Sequence, residues 1–405
     1  MKQLSIIIIF LLTFHLTHGQ ELQLYIQEAI RNNSEIQYFE LQYNLLKEKI
    51  NEDNTIPNTQ VSVGYFIGEP ETRTGAQRAK FSIQQMLPWF GTITARENYS
   101  TTIAETAYVT SITKKRKLAL SISQSYYKLS AIHLKQNILE ESSKLLQTYE
   151  KLALTSVEVG KATVVAVLQL QIRQNELQQY KEILKQDFLA EQATFNTLLN
   201  RDLDIEVIVP NELQIPVEDP ILNHEGIRLN PEVLKYDKVH EAIQQSELLN
   251  QKENAPQIGF GLDYIPVSQR SDVTISDNGK DIIMPMVSLS IPIFNKKYNS
   301  RTRQNELRKQ QTTTQKEQHL DYLTSLLVKA VSMRNTARIK NDIQEKNLKQ
   351  AKNAEEILMK RYETGTINFN DILDIQELQF KFQINTIESV QQYYTQAAII
   401  NYLTN

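Results

Sequence analysis

Two long stretches of the chain, Thr92 to Val159 and Lys296 to Thr364, contain neither glycine nor proline. Each stretch predicts one helix roughly 100 Å long, because a helix rises about 1.5 Å per residue, whereas helices of globular proteins usually have about 8 to 20 residues. Apolar residues of the first stretch keep heptad spacing, although Ser125 and Gln136 interrupt the seam; they are Leu118, Ile122, Leu129, Ile132 and Leu139. So weak a seam is typical of a wall of helices wetted on two faces, and the alternative is a solvated rod or filament-forming coiled coil.

The elements around these helices occur twice in the same order. The first half predicts an ordinary helix over 22–51, two strands, the long helix, a return helix over 163–199 and a short strand over 204–209. Four landmarks recur about 200 residues later, a period far above the 20 to 50 residues of a solenoid. The pairs are Asn33-Ser34-Glu35 and Asn230-Pro231-Glu232, Pro57 and Pro256, Pro88 and Pro292, and Glu158 and Glu363. The chain therefore predicts two structural repeats, 20–215 and 216–405.

Four segments, 58–67, 79–88, 256–266 and 284–294, predict strands with apolar residues on one face and small or polar residues on the other. The third shows the alternation best, with Ile258, Phe260, Leu262 and Tyr264 opposite Gly259, Gly261 and Asp263. Over about ten residues this pattern suits a membrane-spanning barrel strand. The pattern alone is equally compatible with a half-exposed strand of a soluble sheet.

Residues 1–19 predict a signal peptide, with a positive charge at Lys2, a short apolar core over 4–12 and a small-residue cleavage site ending at Gly19. The alternative, a membrane anchor, is disfavoured because this core is shorter than the ~18 residues that a spanning helix needs. No later apolar run reaches that length, so any membrane insertion has to use strands. The sequence therefore predicts an exported protein.

The candidate chemistry is sparse. The chain has no cysteine, which excludes disulfides and thiolate metal sites, and the formal net charge of −3 gives no electrostatic footprint for nucleic acid. The histidines after the signal lie far apart, without metalloprotease spacing, and no glycine-rich phosphate loop occurs. We therefore expect no enzymatic activity, no cofactor, no metal site and no nucleic-acid partner.

Four strands are too few to close a membrane barrel, since about eight is the smallest number, and open sheet edges are not tolerated in lipid. An exported chain with two such hairpins is therefore expected to pool its strands with copies of itself, and three copies give twelve strands. Trp89, Phe90 and Phe294 lie where strands meet helices, the expected position of an interfacial aromatic girdle. The alternative, which is compatible with a girdle, is that these aromatics plug a strand-to-helix corner.

Taken together, these features resemble the TolC-like outer-membrane efflux proteins. The resemblance covers essentially the whole mature chain and rests on the order of its motifs: Leu87-Pro88-Trp89-Phe90-Gly91, Ser290-Ile291-Pro292-Ile293-Phe294, and Tyr362-Glu363-Thr364-Gly365-Thr366 followed by Asp371-Ile372-Leu373-Asp374. It implies a mixed, mainly α fold. In this fold very long antiparallel helices form a coiled-coil tunnel, and each protomer gives four strands to a twelve-stranded trimeric barrel.

The resemblance also implies two sets of site residues. The helix-hairpin tips that meet the adaptor correspond to Val159, Gly160 and Lys161 in the first repeat and to Thr364, Gly365 and Thr366 in the second. The acidic positions of the periplasmic aperture correspond to Asp371 and Asp374, which share one helical face and in a trimer form rings of charge suited to cation selectivity. The alternative is a solvated face at a helix start, where Asp favours the positive end of the dipole. Ile367 and Ala166 depart from the family pattern, so we expect other contacts to hold the aperture closed.

The implied function is that of a passive exit duct in the outer membrane, extending into the periplasm. The expected partners are two further copies of the chain, outer-membrane lipid, a periplasmic adaptor of the membrane fusion type and an inner-membrane pump that drives metal cations or drugs. The strand ends resemble most those of channels paired with metal-cation pumps. Two alternatives remain: a duct for type I protein secretion, and a periplasmic helical scaffold that never enters the membrane.

Overall fold

The computed structural model describes residues 17–160, 163–364, 366–367 and 369–405, so most of the predicted signal peptide lies outside the described residues. The helices and strands follow in chain order: α1 Thr17–Asn32, α2 Ser34–Asp53, β1 Gln60–Tyr65, β2 Glu71–Thr72, β3 Gly75–Ala76, β4 Ala79–Leu87, α3 Thr92–Glu158, α4 Val164–Leu199, a 3₁₀ helix His224–Leu229, α5 Pro231–Glu253, β5 Gln257–Ile265, β6 Ile282–Ser290, α6 Lys297–Glu363 and α7 Asn370–Thr404.

The two long helices are present, and the predicted mixed, mainly α fold is confirmed. Helices α3 and α6 each have 67 residues. Serine and threonine side chains inside α3 satisfy their hydroxyl groups by donating to the carbonyl oxygen four residues earlier, as Thr106 does to Thr102 at 2.9 Å and Ser130 to Tyr126 at 2.8 Å. These polar residues therefore do not compete with the helix, and no glycine or proline interrupts it.

A four-stranded antiparallel sheet has the order β1-β4-β5-β6. Strand β6, the last of the four predicted strands, starts two residues before the predicted segment 284–294 and ends at Ser290. Ile291 and Ile293 therefore follow the strand and do not extend it. The small hairpin of β2 and β3 was not expected from the sequence. Its Gly75 has a φ of +133°, and a Cβ there would lie 1.7 Å from the carbonyl oxygen of Ser268, so no other residue fits.

The chain divides into two compact units. The first comprises residues 1–38, 111–231 and 319–405, and the second comprises residues 39–110 and 232–318. Each unit therefore takes segments from both predicted repeats, and the sheet belongs entirely to the second.

The largest apolar core of the first unit joins the C-terminal half of α3 and the N-terminal half of α4 to the start of α7. Its buried residues are Ile132, Leu139, Leu146, Tyr149, Ala153, Val167, Leu170, Leu177, Leu184, Phe369 and Ile372. The five heptad positions of α3 are all buried. Ser125, which interrupts that seam, is also buried and donates to Glu191 of α4 at 2.5 Å, while Lys128 pairs with the same carboxylate. The polar interruption of the seam is thus satisfied inside the unit.

The first helix predicted over 22–51 is wrong as a single element, because it breaks at Asn33. The Asn33 side-chain oxygen accepts from the backbone N–H groups of Glu35 and Ile36 at 2.9 and 3.3 Å, which caps α2. Its amide donates to the carbonyl oxygen of Leu198 at 3.0 Å, near the end of α4. Asn230 makes the equivalent contact in the second repeat, donating to the carbonyl oxygen of Tyr402 near the end of α7 at 2.9 Å.

The strand predicted over 204–209 is also wrong, because this segment is irregular. Its backbone groups find side chains instead of a neighbouring strand. The Asn196 amide donates to the carbonyl oxygens of Leu203 and Ile205 at 2.9 and 2.8 Å, and the Tyr25 hydroxyl accepts from the N–H of Ile208 at 3.0 Å. The apolar side chain of Val207 is buried in a second apolar core of the first unit, with Tyr126 and Phe195. This burial accounts for the apolar residue in a pattern that predicts a strand.

Asp219 lies in the irregular segment between α4 and the 3₁₀ helix and connects it to α6 and α7. Its carboxylate accepts from the Tyr393 hydroxyl at 2.6 Å and from Arg338 at 2.5 Å, and it lies 3.1 Å from the Arg334 guanidinium. Partial burial alone would raise the pKa of the Asp219 carboxyl, but these hydrogen bonds and charges outweigh burial and lower it. The ionised carboxylate therefore stabilises the fold above the unfolded pKa of about 3.9, and this contribution is lost as the pH falls through the folded pKa.

Asp219→Asn is accordingly expected to destabilise the protein by about 2 kcal/mol at neutral pH, seen as a lower thermal unfolding midpoint. The difference from the wild type should shrink as the pH falls from about 4 through the lowered pKa of the folded carboxyl, because Asp219 is neutral, like asparagine, only below that lowered pKa. Asp237→Asn is the matched control, since Asp237 pairs with Lys316 at 2.5 Å on the surface and such pairs contribute about 0 to 1 kcal/mol. Equal effects of the two variants at neutral pH would contradict the stabilising role of Asp219.

Candidate pore and docking surfaces

Asp371 and Asp374 both lie at the start of α7 and are both exposed. Asp371 stands in the first helical turn, where its charge also favours the positive end of the helix dipole. The neighbouring Ile372 is fully buried in the core, which fixes the rotation of the helix and leaves the two carboxylates on the outer side. Both carboxylates are therefore exposed at the start of α7, and the acidic ring of the periplasmic aperture stays a prediction.

Asp374 lines a groove of about 690 Å³ between α3, α4 and α7. The groove has an apolar floor, including Tyr180 and Phe380, whose rings meet edge to face at 6.4 Å. Its rim is charged, because Arg173 of α4 pairs with Glu377 of α7 and, at 2.7 Å, with Glu176 of its own helix. A link between the return helices of the two repeats therefore lies one helical turn from Asp374.

Further polar contacts join α3 to α6 and α7 beside this groove. The Tyr149 hydroxyl donates to Glu355 at 2.6 Å, Gln379 donates to the other oxygen of that carboxylate at 2.7 Å, and the Tyr362 hydroxyl donates to Ser156 at 3.1 Å. Burial, and then the carboxylate of Glu355, raises the pKa of the Tyr149 hydroxyl, which keeps it a proton donor.

The predicted adaptor-docking tips are described in part. Val159 is exposed, and Gly160 has a φ of +69° with open space where a Cβ would be; Lys161 lies outside the described residues. In the second tip, Gly365 lies outside them as well. The hydroxyl groups of Thr364 and Thr366 both donate to the carbonyl oxygen of Arg361, at 2.9 and 2.8 Å. This contact closes the end of α6, so the tip's backbone is supported by its own threonines.

The two faces of the sheet differ sharply in chemistry. Residues paired across strands point to the same face, and successive residues alternate. One face, here called the apolar sheet face, carries exposed apolar side chains: Val61, Val63, Tyr65, Phe81, Ile83, Phe260, Leu262, Tyr264, Ile283, Val287 and Leu289. The other, the polar sheet face, carries Ser62, Gly64, Lys80, Ser82, Gln84, Met86, Gly259, Gly261, Asp263, Met284, Met286 and Ser288.

The three predicted interface aromatics lie two to four residues after the ends of strands. Trp89 and Phe90 come after β4 and stack edge to face at 5.8 Å, and Phe294 comes after β6. Phe90 and Phe294 are 78% and 99% exposed, so neither ring plugs a strand-to-helix corner within the chain. The position is compatible with an aromatic girdle, which stays a prediction.

The sequence did not indicate the ion pair of the polar sheet face. Asp263 of β5 is fully buried, and its carboxylate pairs with Lys80 of β4. The register places Asp263 opposite Ser82, so Lys80 reaches it diagonally from the same face. An acidic residue among small ones in an otherwise alternating strand was the only available signal, and its partner depends on strand pairing across about 180 residues of sequence.

Among the described residues, no helix is both long enough and apolar enough to cross a membrane. The described residues also contain no cluster of three or more histidine or acidic side chains able to hold a metal ion.

Comparison with known proteins identifies the fold. Residues 224–405 match the family model described as outer membrane efflux protein, whereas a comparison of the sequence with curated proteins gives no match. The chain is similar to CusC, a protein whose structures describe transmembrane channel formation, with 14% identity, a TM-score of 0.77 and coverage of 95% of this chain and 92% of CusC.

Two further solved structures agree with this result. The outer membrane protein VceC of Vibrio cholerae is 15% identical, with a TM-score of 0.74 and coverage of 95% of this chain and 96% of VceC. The outer membrane channel CmeC of Campylobacter jejuni is 14% identical, with a TM-score of 0.73 and coverage of 95% and 85%.

The predicted resemblance to the TolC-like outer-membrane efflux proteins is thus confirmed, by sequence over the second repeat and by fold over nearly the whole chain. The match supports the predicted localisation in the outer membrane with an extension into the periplasm, and the coarse function of an efflux channel. The named relatives are channels or outer membrane proteins rather than enzymes.

Proposed function

We propose that the protein is the outer-membrane exit duct of a tripartite efflux system. Three copies pool their sheets into a twelve-stranded barrel and their long helices into a periplasmic tunnel. An inner-membrane pump supplies the energy, and a periplasmic adaptor of the membrane fusion type docks at the tips around Gly160 and Gly365. The substrates are metal cations or drugs, and the pump selects among them because a wide wetted tunnel selects little by itself.

The single observation that carries the proposal is the apolar sheet face. Val61, Val63, Tyr65 and Val287 expose between 67% and 74% of their surface, on a sheet whose outer strands β1 and β6 each have only one neighbour in the sheet order. A soluble monomer rarely exposes so contiguous an apolar patch. Lipid against this face, and a second copy of the chain at each edge, satisfy the apolar surface and the backbone hydrogen bonds together.

Three features of the helices support the duct. The exposed carboxylates of Asp371 and Asp374 suit an aperture that attracts cations, and the Arg173–Glu377 pair beside them links the return helices. Such a link suits a constriction that opens when the helices separate. The long helices bury their apolar heptad positions and expose polar side chains, which suits the wall of a water-filled lumen.

The proposal is tested by expressing the precursor, separating inner from outer membranes and cross-linking the native protein before gel analysis. A trimer in the outer-membrane fraction is the expected result. A soluble monomer or dimer with protease-accessible strands would instead favour the periplasmic scaffold and end the duct proposal. Deleting the gene and measuring sensitivity to metals and to hydrophobic drugs then assigns the substrate class, and a loss of protein export alone would favour type I secretion.

A further inference from the structure

The two hairpins of the sheet, β1 with β4 and β5 with β6, have the same register. In the first hairpin Gly64 is paired with Lys80, and in the second hairpin Asp263 is paired with Met284. The landmark prolines of the two repeats give the same correspondence, with an offset of 199 residues between β1 and β5 and of 204 between β4 and β6. Gly64 therefore corresponds to Asp263, and Lys80 corresponds to Met284.

An ion pair lies where the two hairpins meet, at the pairing of β4 with β5, here called the intrachain interface. Asp263 of β5 is fully buried, and Ser82 of β4 lies directly opposite it. Within the described residues, the carboxylate has one ion-pair partner, Lys80, whose side chain is 39% exposed. A buried carboxylate is strongly destabilising once its cation is removed. The intrachain interface therefore requires Lys80 beside Asp263.

The proposed trimer needs a second kind of contact, between β6 of one copy and β1 of the next, here called the interchain interface. By the correspondence of the repeats, Met284 and Gly64 occupy there the positions that Lys80 and Asp263 occupy in the intrachain interface. The interchain interface therefore carries no charge at this level. Since the hairpins share one register, backbone hydrogen bonds alone would also let a hairpin join the same hairpin of another copy.

We propose that the Lys80–Asp263 pair selects the order of strands in the barrel, so that the β4 edge accepts β5 and rejects β1 of another copy. Contact between two first hairpins would place Lys80 beside glycine. Contact between two second hairpins would place the buried Asp263 carboxylate beside Met284, without a cation, and this cost falls on the wrong order alone. The inference rests on the proposed function, because it concerns the closure of the same trimeric barrel.

Disulfide mapping tests this order, because the chain has no cysteine of its own. Two differently tagged copies are co-expressed, one with Ile83→Cys and the other with Val63→Cys, and outer membranes are oxidised before denaturing gel analysis. A disulfide between these copies reports contact of two first hairpins, since Val63 corresponds to Leu262, which lies opposite Ile83. Val287→Cys with Val63→Cys reports the interchain interface. In the wild-type background we expect the second cross-link without the first.

Lys80→Met with Asp263→Gly gives the intrachain interface the residues of the interchain interface and leaves no buried charge. We expect the cross-link between first hairpins to rise about tenfold or more, because the wrong order no longer leaves a carboxylate unpaired. Lys80→Asp with Asp263→Lys restores the pair in reverse and should suppress that cross-link again. The matched control is Arg301→Met, which breaks an ion pair with Glu253 at 2.7 Å in the same unit and should change neither cross-link.

A further variant keeps the charges paired but removes the preference. Gly64→Asp with Met284→Lys gives each hairpin an ion pair of its own, because these residues lie directly opposite Lys80 and Asp263. A Cβ on Gly64 meets nothing within 4 Å, so the sheet has room for this side chain. This variant should also form the cross-link between first hairpins.

Two results would overturn the inference in different ways. If the cross-link between first hairpins stays absent from both variants while the interchain cross-link forms, the duct stands and the ion pair does not order its strands. If the wild type forms no cross-link between copies at either position, the barrel does not close, and the duct fails together with the inference.

Discussion

Replacing both Val63 and Val287 by arginine is expected to abolish assembly of the protein in the outer membrane. Both valines lie on the apolar sheet face and expose 67% and 74% of their surface. An arginine facing lipid near the middle of a membrane costs about 2 to 4 kcal/mol, and three copies of the double variant carry six such charges. In a soluble sheet the same substitutions at exposed positions would change stability by no more than about 0.5 kcal/mol.

Ser62→Arg with Ser290→Arg is the matched control. These serines lie on the same two strands, β1 and β6. Ser62 belongs to the polar sheet face, and the pairing of Ser290 with Gln257 places Ser290 on that face at the end of β6. An arginine there stays in water if the sheet lines a lumen. Membrane fractionation and cross-linking of the two double variants should give a trimer only for the serine variant. Normal outer-membrane trimers from the valine variant would show that the apolar face does not meet lipid.

The long helices could be predicted from the sequence because their signal is local. Glycine and proline are absent from each run, and a lone glycine follows, so the ends of α3 and α6 lie within one residue of the predicted runs. The break at Asn33 had a local signal too. Asn33-Ser34-Glu35 is typical of a helix N-terminus, whereas the apolar spacing of 22–51 alone predicts one continuous helix.

The remaining features depend on contacts between distant parts of the chain. Val207 is the buried residue of an otherwise largely exposed irregular segment, whose backbone carbonyls at Leu203 and Ile205 accept from Asn196 on the preceding helix, and no periodicity in 204–209 indicates those contacts. Met284 and Met286 show their common face through alternation alone. Met86 joins them only through the pairing of β4 with β5, across about 170 residues, and a register shift of one residue would turn it to the opposite face.

Neutralising Asp371 and Asp374, which we propose line the periplasmic aperture, is expected to change conduction strongly. Asp371→Asn combined with Asp374→Asn removes two exposed charges from each chain, and six from a trimer. Each carboxylate attracts a cation at close range by about 1 kcal/mol in water and more in a narrow, partly dehydrated constriction. Since 1.4 kcal/mol corresponds to a tenfold change in affinity, block by divalent cations should weaken about tenfold or more, measured on single channels in planar bilayers.

Asp371→Glu with Asp374→Glu separates charge from fold in this experiment, because it keeps both negative charges at the start of α7. We expect this variant to retain cation block, whereas Asn at the same positions loses it. The buried Ile372 between the two aspartates is unchanged in both variants, so the helix keeps its orientation against the core. Identical single-channel records for the Asn variant and the wild type would remove Asp371 and Asp374 from the conduction path. Their position would then be that of a solvated helix start, where the charge acts on the helix dipole alone.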